Sequence, residues 1–337
     1  MEFKKYPSIE NTYQADTLQA IADQGFGEAE YLLQEKIHGA NLSFFTDGVA
    51  VLAAKRTEPV AEEESFYNAI ALRDQHRQRM LDLFAALNAE TGAKQITVFG
   101  ELFGGGYPHP GVPRDESAQL VQQGIYYHPG NQFIAYDILL GAATFLDADA
   151  TEAWLSRFGF LYARTLYRGS LTECLAYPNE FKTTIPAAFG LPELDGNTCE
   201  GVVIRPVQPL FFRSGSRVIL KNKNERWSEN NKYIDRALLR ALLQTESELS
   251  EAAQVMCEEI FKFVHENRLT NLLSKLGPID LKKDLGRLQG LFNKDVLEDF
   301  MKVHHTAFGA LEKAEGKSVT KFLNTQAAKL IRDYFGV

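Results

Sequence analysis

Apolar and polar positions divide the chain into two regions of different rhythm. Up to about residue 235 they alternate with a period of two or run briefly apolar, as short strands do. Tyr31 to Leu33 and Leu42 to Phe45 read as strands on either side of Glu35-Lys36-Ile37-His38-Gly39-Ala40-Asn41. A third segment runs from Gly48 to Thr57, with Val49, Val51 and Ala53 alternating. Ile96 to Leu102 breaks into Gly104-Gly105-Gly106, and Phe133 to Leu140 carries Asp137 inside an apolar run. Glu200 to Pro206 follows, then Arg217 to Lys223. Alternation in the last places Ile219, Lys221 and Lys223 on one face, with Val218, Leu220 and Asn222 on the other. Helices are predicted at 14–24, near 149–158 and 170–177, and as one or two amphipathic helices over 62–90. Residues 107–131, with four prolines, read mainly as loop.

Beyond residue 235 the spacing becomes helical: Leu249, Ala253, Met256, Ile260 and Phe263, then helices at 280–291, 294–309 and 318–334. The expectation is an α+β chain. A mixed, mostly antiparallel domain over 1–238 precedes an all-helical domain over 239–337.

Length agrees with two domains, since 337 residues exceed one comfortable core. No apolar run reaches the length of a membrane span, and the first residues carry no apolar signal core, so a cytoplasmic protein is expected. Cys174, Cys199 and Cys257 lack metal-ligand spacing and read as reduced and buried. The net charge of −8 excludes a generic polycation. Its distribution leaves a local basic groove open: residues 1–216 hold 16 Lys+Arg against 27 Asp+Glu, residues 217–337 hold 20 against 17. Screening limits the reach of distant charges to roughly 10 Å.

Charges in strand contexts are the candidate chemistry: Lys36, Arg56, Glu101, Asp137, Glu200, Lys221 and Lys223. Taken singly, each has an ordinary explanation, such as a strand-end turn for Lys36 or a solvated edge for Lys221 and Lys223. Together they would converge on one cleft if their strands formed one sheet system. A lysine attacks phosphorus only as a neutral amine, which nearby cations or burial favour. The cations would also neutralise phosphate charge in an in-line transfer. Glu200 and Glu101 could hold a magnesium ion or a ribose hydroxyl, and Tyr136 could stack on a base.

Lys36-Ile37-His38-Gly39-Ala40-Asn41 resembles the K-x-H-G-x-N nucleotidyl-lysine motif of covalent nucleotidyltransferases, in the form typical of RNA ligase 2-type enzymes. Lys55-Arg56-Thr57, Phe99-Gly100-Glu101, Tyr136-Asp137, Glu200-Gly201-Val202-Val203 and Leu220-Lys221-Asn222-Lys223 follow in that family's order. One such motif is weak; six in order are specific. The loop from Gly104 to Pro129 looks like that of the trypanosome RNA-editing ligases. Asn271 to Phe300 looks like the C-terminal nick-recognition domain of the phage enzymes.

The resemblance implies an antiparallel-sheet nucleotidyltransferase domain of the ATP-grasp-like ligase type, followed by a helical C-terminal domain. It implies an ATP-dependent RNA ligase, a monomer without membrane association. Its partner would be a 3′-OH/5′-phosphate nick in duplex RNA or RNA–DNA hybrid, and its cofactors ATP with Mg2+ or Mn2+. Lys36 would carry AMP. His38 would contact phosphate or act after lysine adenylylation. Glu35, Ile37 and Asn41 would lie at the adenosine and phosphate contacts, Arg56 at the nucleotide sugar or phosphate, and Glu101 at the ribose. Tyr136 would stack on adenine, Glu200 would help with metal, and Lys221 and Lys223 would contact phosphates. Gly39 and Asp137 would support the site. Gln34 stands where some phage members have arginine. The remaining histidines, His304-His305 included, read as surface residues. A DNA ligase or an mRNA-capping guanylyltransferase is the rival, disfavoured because both append a β-rich OB-fold where this tail reads as helices. A catalytically inactive nick-binding module has no need of a nucleophile.

Overall fold

A computed structural model describes residues 1–228 and 249–336. The chain separates into two compact units, Met1–Arg226 and Trp227–Val337. The boundary expected at 238/239 falls outside the described residues.

In the first unit the elements run β1 (Glu10–Asn11), α1 (Ala15–Asp23), β2 (Tyr31–Glu35), β3 (Ala40–Thr46), β4 (Val51–Lys55), α2 (Ala69–Thr91), β5 (Ile96–Gly106), β6 (His128–Leu140), β7 (Thr144–Phe145), α3 (Ala148–Arg157), β8 (Thr165–Gly169), α4 (Leu171–Ala176), α5 (Ile185–Ala188), β9 (Gly201–Pro206) and β10 (Leu220–Lys223). The strands form two five-stranded sheets, ordered β1-β10-β9-β2-β8 and β4-β3-β5-β6-β7. All pairs are antiparallel except the two-residue β1–β10 pair. The charged strands therefore belong to two sheets rather than one. Their partition follows from β2 and β3, which do not pair: residues 36–39 carry the chain from the first sheet to the second.

Each sheet covers one face with helices. Leu42, Phe44, Val98 and Phe133 of the second sheet pack with Met80, Leu83 and Leu87 of α2 and Leu155 of α3. Tyr31, Leu33, Val202, Ile204 and Leu220 of the first sheet pack with Ile21 of α1 and Cys174 of α4. A smaller cluster joins Tyr6, Phe99, Leu139 and Ile219. Val218 and Leu220 thus lie in one cluster and Ile219 in another, as their alternation requires. All three cysteines are buried, and none is in a disulfide among the described residues.

The helix expected from residue 62 begins only at Ala69. Tyr67 and Asn68 have φ of 46° and 64°, left-handed values that no α-helix continues through. Inside this helix, His76 is buried rather than superficial. Its ring stacks on Phe44 and Phe160 at centroid distances of 5.7 and 5.4 Å. Burial, with Arg79 beside it, pushes its pKa from 6.5 down to about 4. Between those values the unfolded chain binds the proton more readily, so the folded state loses stability as pH falls from 6.5 toward 4. His76→Phe is expected to flatten that part of the pH–stability curve by about 3 kcal/mol, measured by denaturant unfolding from pH 4 to 7. Equal slopes in the two proteins would refute this.

The second unit contains α6 (Glu251–Phe261), α7 (Glu266–Leu276), α8 (Leu281–Gly309) and α9 (Lys313–Phe335). The two helices expected over 280–309 are one, because Phe292, Val296 and Phe300 continue a buried stripe across the expected break. α7, not anticipated as a separate helix, contributes fully buried Arg268, whose guanidinium pairs with Asp295 and Asp299, one turn apart on α8. His304 is also largely covered, stacking on Phe300 with Glu259 at 3.6 Å. Among the described residues no helix is long and apolar enough to cross a membrane.

Candidate active site

The crossover from β2 to β3 is fixed by backbone contacts at each step. The Lys36 N–H donates to the Gly201 carbonyl at 2.9 Å, extending the β2–β9 ladder past its end. The His38 N–H donates to the Tyr127 phenol oxygen at 3.0 Å. Gly39 passes so close to β5 that a Cβ would stand 2.3 Å from the Leu102 carbonyl oxygen, which explains the glycine. The side chain of Lys36 is left half-buried at the seam between the sheets.

Glu200, immediately before β9, is fully buried and gathers the cations. Its Oε2 lies 2.7 Å from Lys36 Nζ and 3.3 Å from His38 Nδ1. Its Oε1 lies 2.7 Å from Lys223 Nζ, delivered by the β9–β10 pairing of Gly201 with Lys223. Gly201, with φ +142°, allows that approach; a Cβ there would lie 2.2 Å from the Asn222 carbonyl oxygen. Burial alone would push the Glu200 carboxyl up, but Lys223, Lys36 and His38 together hold it well below the usual range. His38 is pushed down by burial and by both lysines, against the pull of Glu200. A neutral imidazole facing an ionised carboxylate carries its proton on Nδ1.

A second group sits on the other sheet. Asn41 on β3 lies opposite Glu101 on β5, and Asn41 Nδ2 donates to the Tyr136 hydroxyl. The register places Phe99 opposite Asp137 and Gly100 opposite Ala135, leaving Tyr136 as the extra residue of a β-bulge. The half-buried ring stands edge-on to Tyr6 at 5.0 Å. Arg56 follows Lys55, which pairs with Leu42, so it stands beside Asn41 at the end of β4. Burial and then Glu101 drive the Tyr136 phenol well above its ordinary value, while Arg56 pulls it down.

Asp137 points into the structure. Its fully buried Oδ2 accepts from Tyr6 Oη at 2.8 Å and from Arg217 Nη1, with Arg205 Nη1 at 3.1 Å. Arg205 Nη2 also donates to the Tyr136 carbonyl at 3.0 Å. These bonds tie β6 of the second sheet to β9 and the approach to β10 of the first.

The structure thus brings Lys36, His38, Glu200 and Lys223 into direct contact and assembles Asn41, Glu101, Tyr136 and Arg56 around the bulge. Lys221 is half-buried on β10, paired with Val203 and Asn11. Ile37 is buried in the crossover. Glu35 turns away from Lys36: its carboxylate accepts from Thr183 Oγ1, Thr184 N at 2.8 Å and Thr184 Oγ1 at 2.7 Å. Burial nevertheless outweighs those bonds and pushes its pKa up. Gln34 is spent on packing, donating to the Ala163 carbonyl at 2.7 Å.

Sequence reasoning missed Tyr127, Thr183, Thr184, Arg205, Arg217 and Tyr6. A signal existed for the arginines: an aspartate inside an apolar run needs a cation, and Arg205 and Arg217 flank neighbouring strands. Nothing in a proline-rich loop singles out Tyr127.

Residues 29–223, more than half of the chain, match the RNA ligase family model, and residues 246–329 match that of the T4 RNA ligase 2 C-terminal domain. The mitochondrial RNA-editing ligase 2 of Trypanosoma brucei brucei is 27% identical over 382 residues, covering 98% of this chain and 90% of that protein. The mitochondrial RNA-editing ligase 1 from the same organism is 28% identical, covering 85% and 73%. A Naegleria gruberi RNA ligase solved with ATP and manganese aligns at 12% identity with a TM-score of 0.43, covering 67% of this chain and 57% of its own, too distant a likeness to carry weight. Matched over its sheet-bearing unit and again over its helical one, the chain belongs to the RNA ligase family of ATP-dependent enzymes.

Proposed function

We propose that this chain seals 3′-OH/5′-phosphate nicks in duplex RNA or RNA–DNA hybrids, with Lys36 as the residue that carries AMP. The observation that supports this reading is the sharing of one fully buried carboxylate, Glu200, by Lys36, Lys223 and His38 at the seam of two sheets.

Once deprotonated, Lys36 Nζ attacks the α-phosphorus of ATP. The N–P bond forms as the bond to the β-phosphate oxygen breaks, and pyrophosphate leaves. A 5′-phosphate oxygen at the nick then attacks the same phosphorus, and the Lys36 amine is the leaving group. The 3′-OH finally attacks the activated 5′-phosphate, a phosphodiester forms and AMP departs. Glu200 is held too acidic to serve as a base at neutral pH, so its part is to fix the Lys36 amine and the Lys223 ammonium on opposite sides of one carboxylate. Lys223, Lys221 and Arg56 meet phosphate charge. Tyr136 stacks on the adenine, with Glu101 at the ribose and Glu35, Ile37 and Asn41 along the pocket.

Among the described residues no three His, Cys, Asp or Glu side chains converge as a metal cage. Glu200, the carboxylate expected to help with metal, has both oxygens against Lys36, His38 and Lys223, so a magnesium or manganese ion would use it only by displacing one of those cations. Such an ion supplies further neutralisation of the phosphates. The helical unit (239–337 in the sequence-based division) would recognise the nick, and the chain would act as a cytoplasmic monomer.

Incubation with α-labelled ATP and a divalent ion should label the protein, with the AMP on the peptide containing Lys36. GTP should give no adduct. Absence of an adduct with ATP, or its mapping to another residue, would overturn the reading. A DNA 3′-OH strand sealed as readily as an RNA one would favour DNA ligation.

A further inference from the structure

We infer that Tyr127 is a positioning residue for the nucleophile, acting through the backbone of the Lys36–Gly39 crossover; the inference rests on the reading of Lys36 given above. Tyr127 is fully buried at the end of the proline-rich segment, and its phenol oxygen accepts the His38 N–H at 3.0 Å. That hydrogen bond falls where the crossover has left one sheet and has not joined the other, so neither ladder supplies it.

The phenol is itself held. Its ring packs edge-on against Phe103 of β5 at 5.2 Å. The adjacent Tyr126 is clipped at both backbone groups by one side chain: Tyr126 N donates to Asn197 Oδ1 at 2.9 Å, and Asn197 Nδ2 donates to Tyr126 O at 2.7 Å. The Asn197 carbonyl accepts from Thr183 N at 3.0 Å, and Thr183 donates through its hydroxyl to Glu35. Asn197 therefore braces two arms, one reaching His38 and one reaching Glu35, on either side of Lys36. Burial, with Glu35 and Glu200 nearby, keeps the phenol un-ionised at any working pH, which preserves the hydroxyl of this contact.

A group that sets the approach of Lys36 to phosphorus matters for lysine adenylylation. It matters much less for sealing a nick whose 5′-phosphate already carries AMP, because Lys36 forms no bond in that step. Tyr127→Phe keeps the ring and removes the acceptor. Its single-turnover rate of adduct formation should fall at least about tenfold at saturating ATP, the penalty of a misplaced reacting atom. The ATP concentration for half-maximal rate and the rate of sealing a pre-adenylylated nick should stay within about twofold of wild type. Equal losses in both reactions, or no loss in either, would overturn the inference while the wild-type adduct still stood. A wild type that forms no adduct would overturn both. If Tyr127→Phe does not fold, 3-fluorotyrosine at position 127, which retains shape and weakens the oxygen as an acceptor, should give the same partition with a smaller loss.

Discussion

Glu200→Gln is expected to lower the rate of lysine adenylylation by at least about a hundredfold and to destabilise the first unit by about 3 kcal/mol. Both effects come from the same charge. The carboxylate is fully buried with one lysine on each oxygen and His38 beside it. An amide of the same shape keeps the volume and strands two ammonium groups in a low-dielectric seam, where neither has the anion that compensated its burial. The lysines must then shift toward water, taking Lys36 off its line. The wild-type carboxyl is depressed in the folded state, so its stabilisation is present above the ordinary carboxylate pKa of about 4.5 and disappears as pH falls through the folded value below it. The variant should lack that acid limb. Rapid-quench adenylylation with labelled ATP, beside urea unfolding between pH 3 and 7, reads both. A variant within twofold of wild type in adenylylation would remove Glu200 from the site.

How far the sequence disclosed this arrangement depends on which interactions were local. Strand alternation located Ile219 opposite Val218 and Leu220, and the ordered motifs picked out Glu200 and the two lysines, Lys36 and Lys223, that each lie 2.7 Å from it. Pairing partners were beyond reach, because period-two alternation says which face a residue takes and not which strand lies beside it. Hence convergence on one cleft was tied to the condition of one sheet system, the strands divide between two sheets, and the crossover read as a plain turn. The bulge at Tyr136 was equally hidden: it depends on the count of residues in β6 against β5, and the apolar run around it has no gap. His76 was misplaced because an imidazole in a charged helix reads as polar, while its stacking partners Phe44 and Phe160 are distant in sequence. The carboxylate of Glu35, expected at the adenosine and phosphate contacts, is held by Thr183 and Thr184, nearly 150 residues away, a contact that no local pattern announces. In the second unit, Gly309 and the Glu312–Glu315 capping box set the break between the last two helices. Gly290 only resembles a break, since the buried stripe carries the helix through it.

Asp137→Asn should destabilise the first unit by about 3 to 5 kcal/mol and raise the ATP concentration needed for half-maximal adenylylation. Asp137 is fully buried and faces two guanidinium groups, Arg217 and Arg205, with Tyr6 donating to the same oxygen. Burial disfavours the charge on Arg217, and Asp137 more than restores it, raising its pKa above the usual value. Removing the anion strands both cations between β6 and β9, which is the expensive way to break a buried ion group. The consequence for ATP follows from the neighbouring bond: Arg205 also holds the Tyr136 carbonyl at 3.0 Å, so an arginine seeking a new partner releases the bulge that aims Tyr136. Because the loss originates in stranded cations rather than in a missing contact, it should be non-additive. Arg217→Met in the Asp137→Asn background should recover part of the stability lost, whereas Arg217→Met alone, which leaves the carboxylate facing one cation, should destabilise. Urea unfolding of the four proteins gives the coupling directly. Simple additivity of the two substitutions would mean that the cluster is an incidental contact and that Tyr136 is aimed by the strand pairing alone.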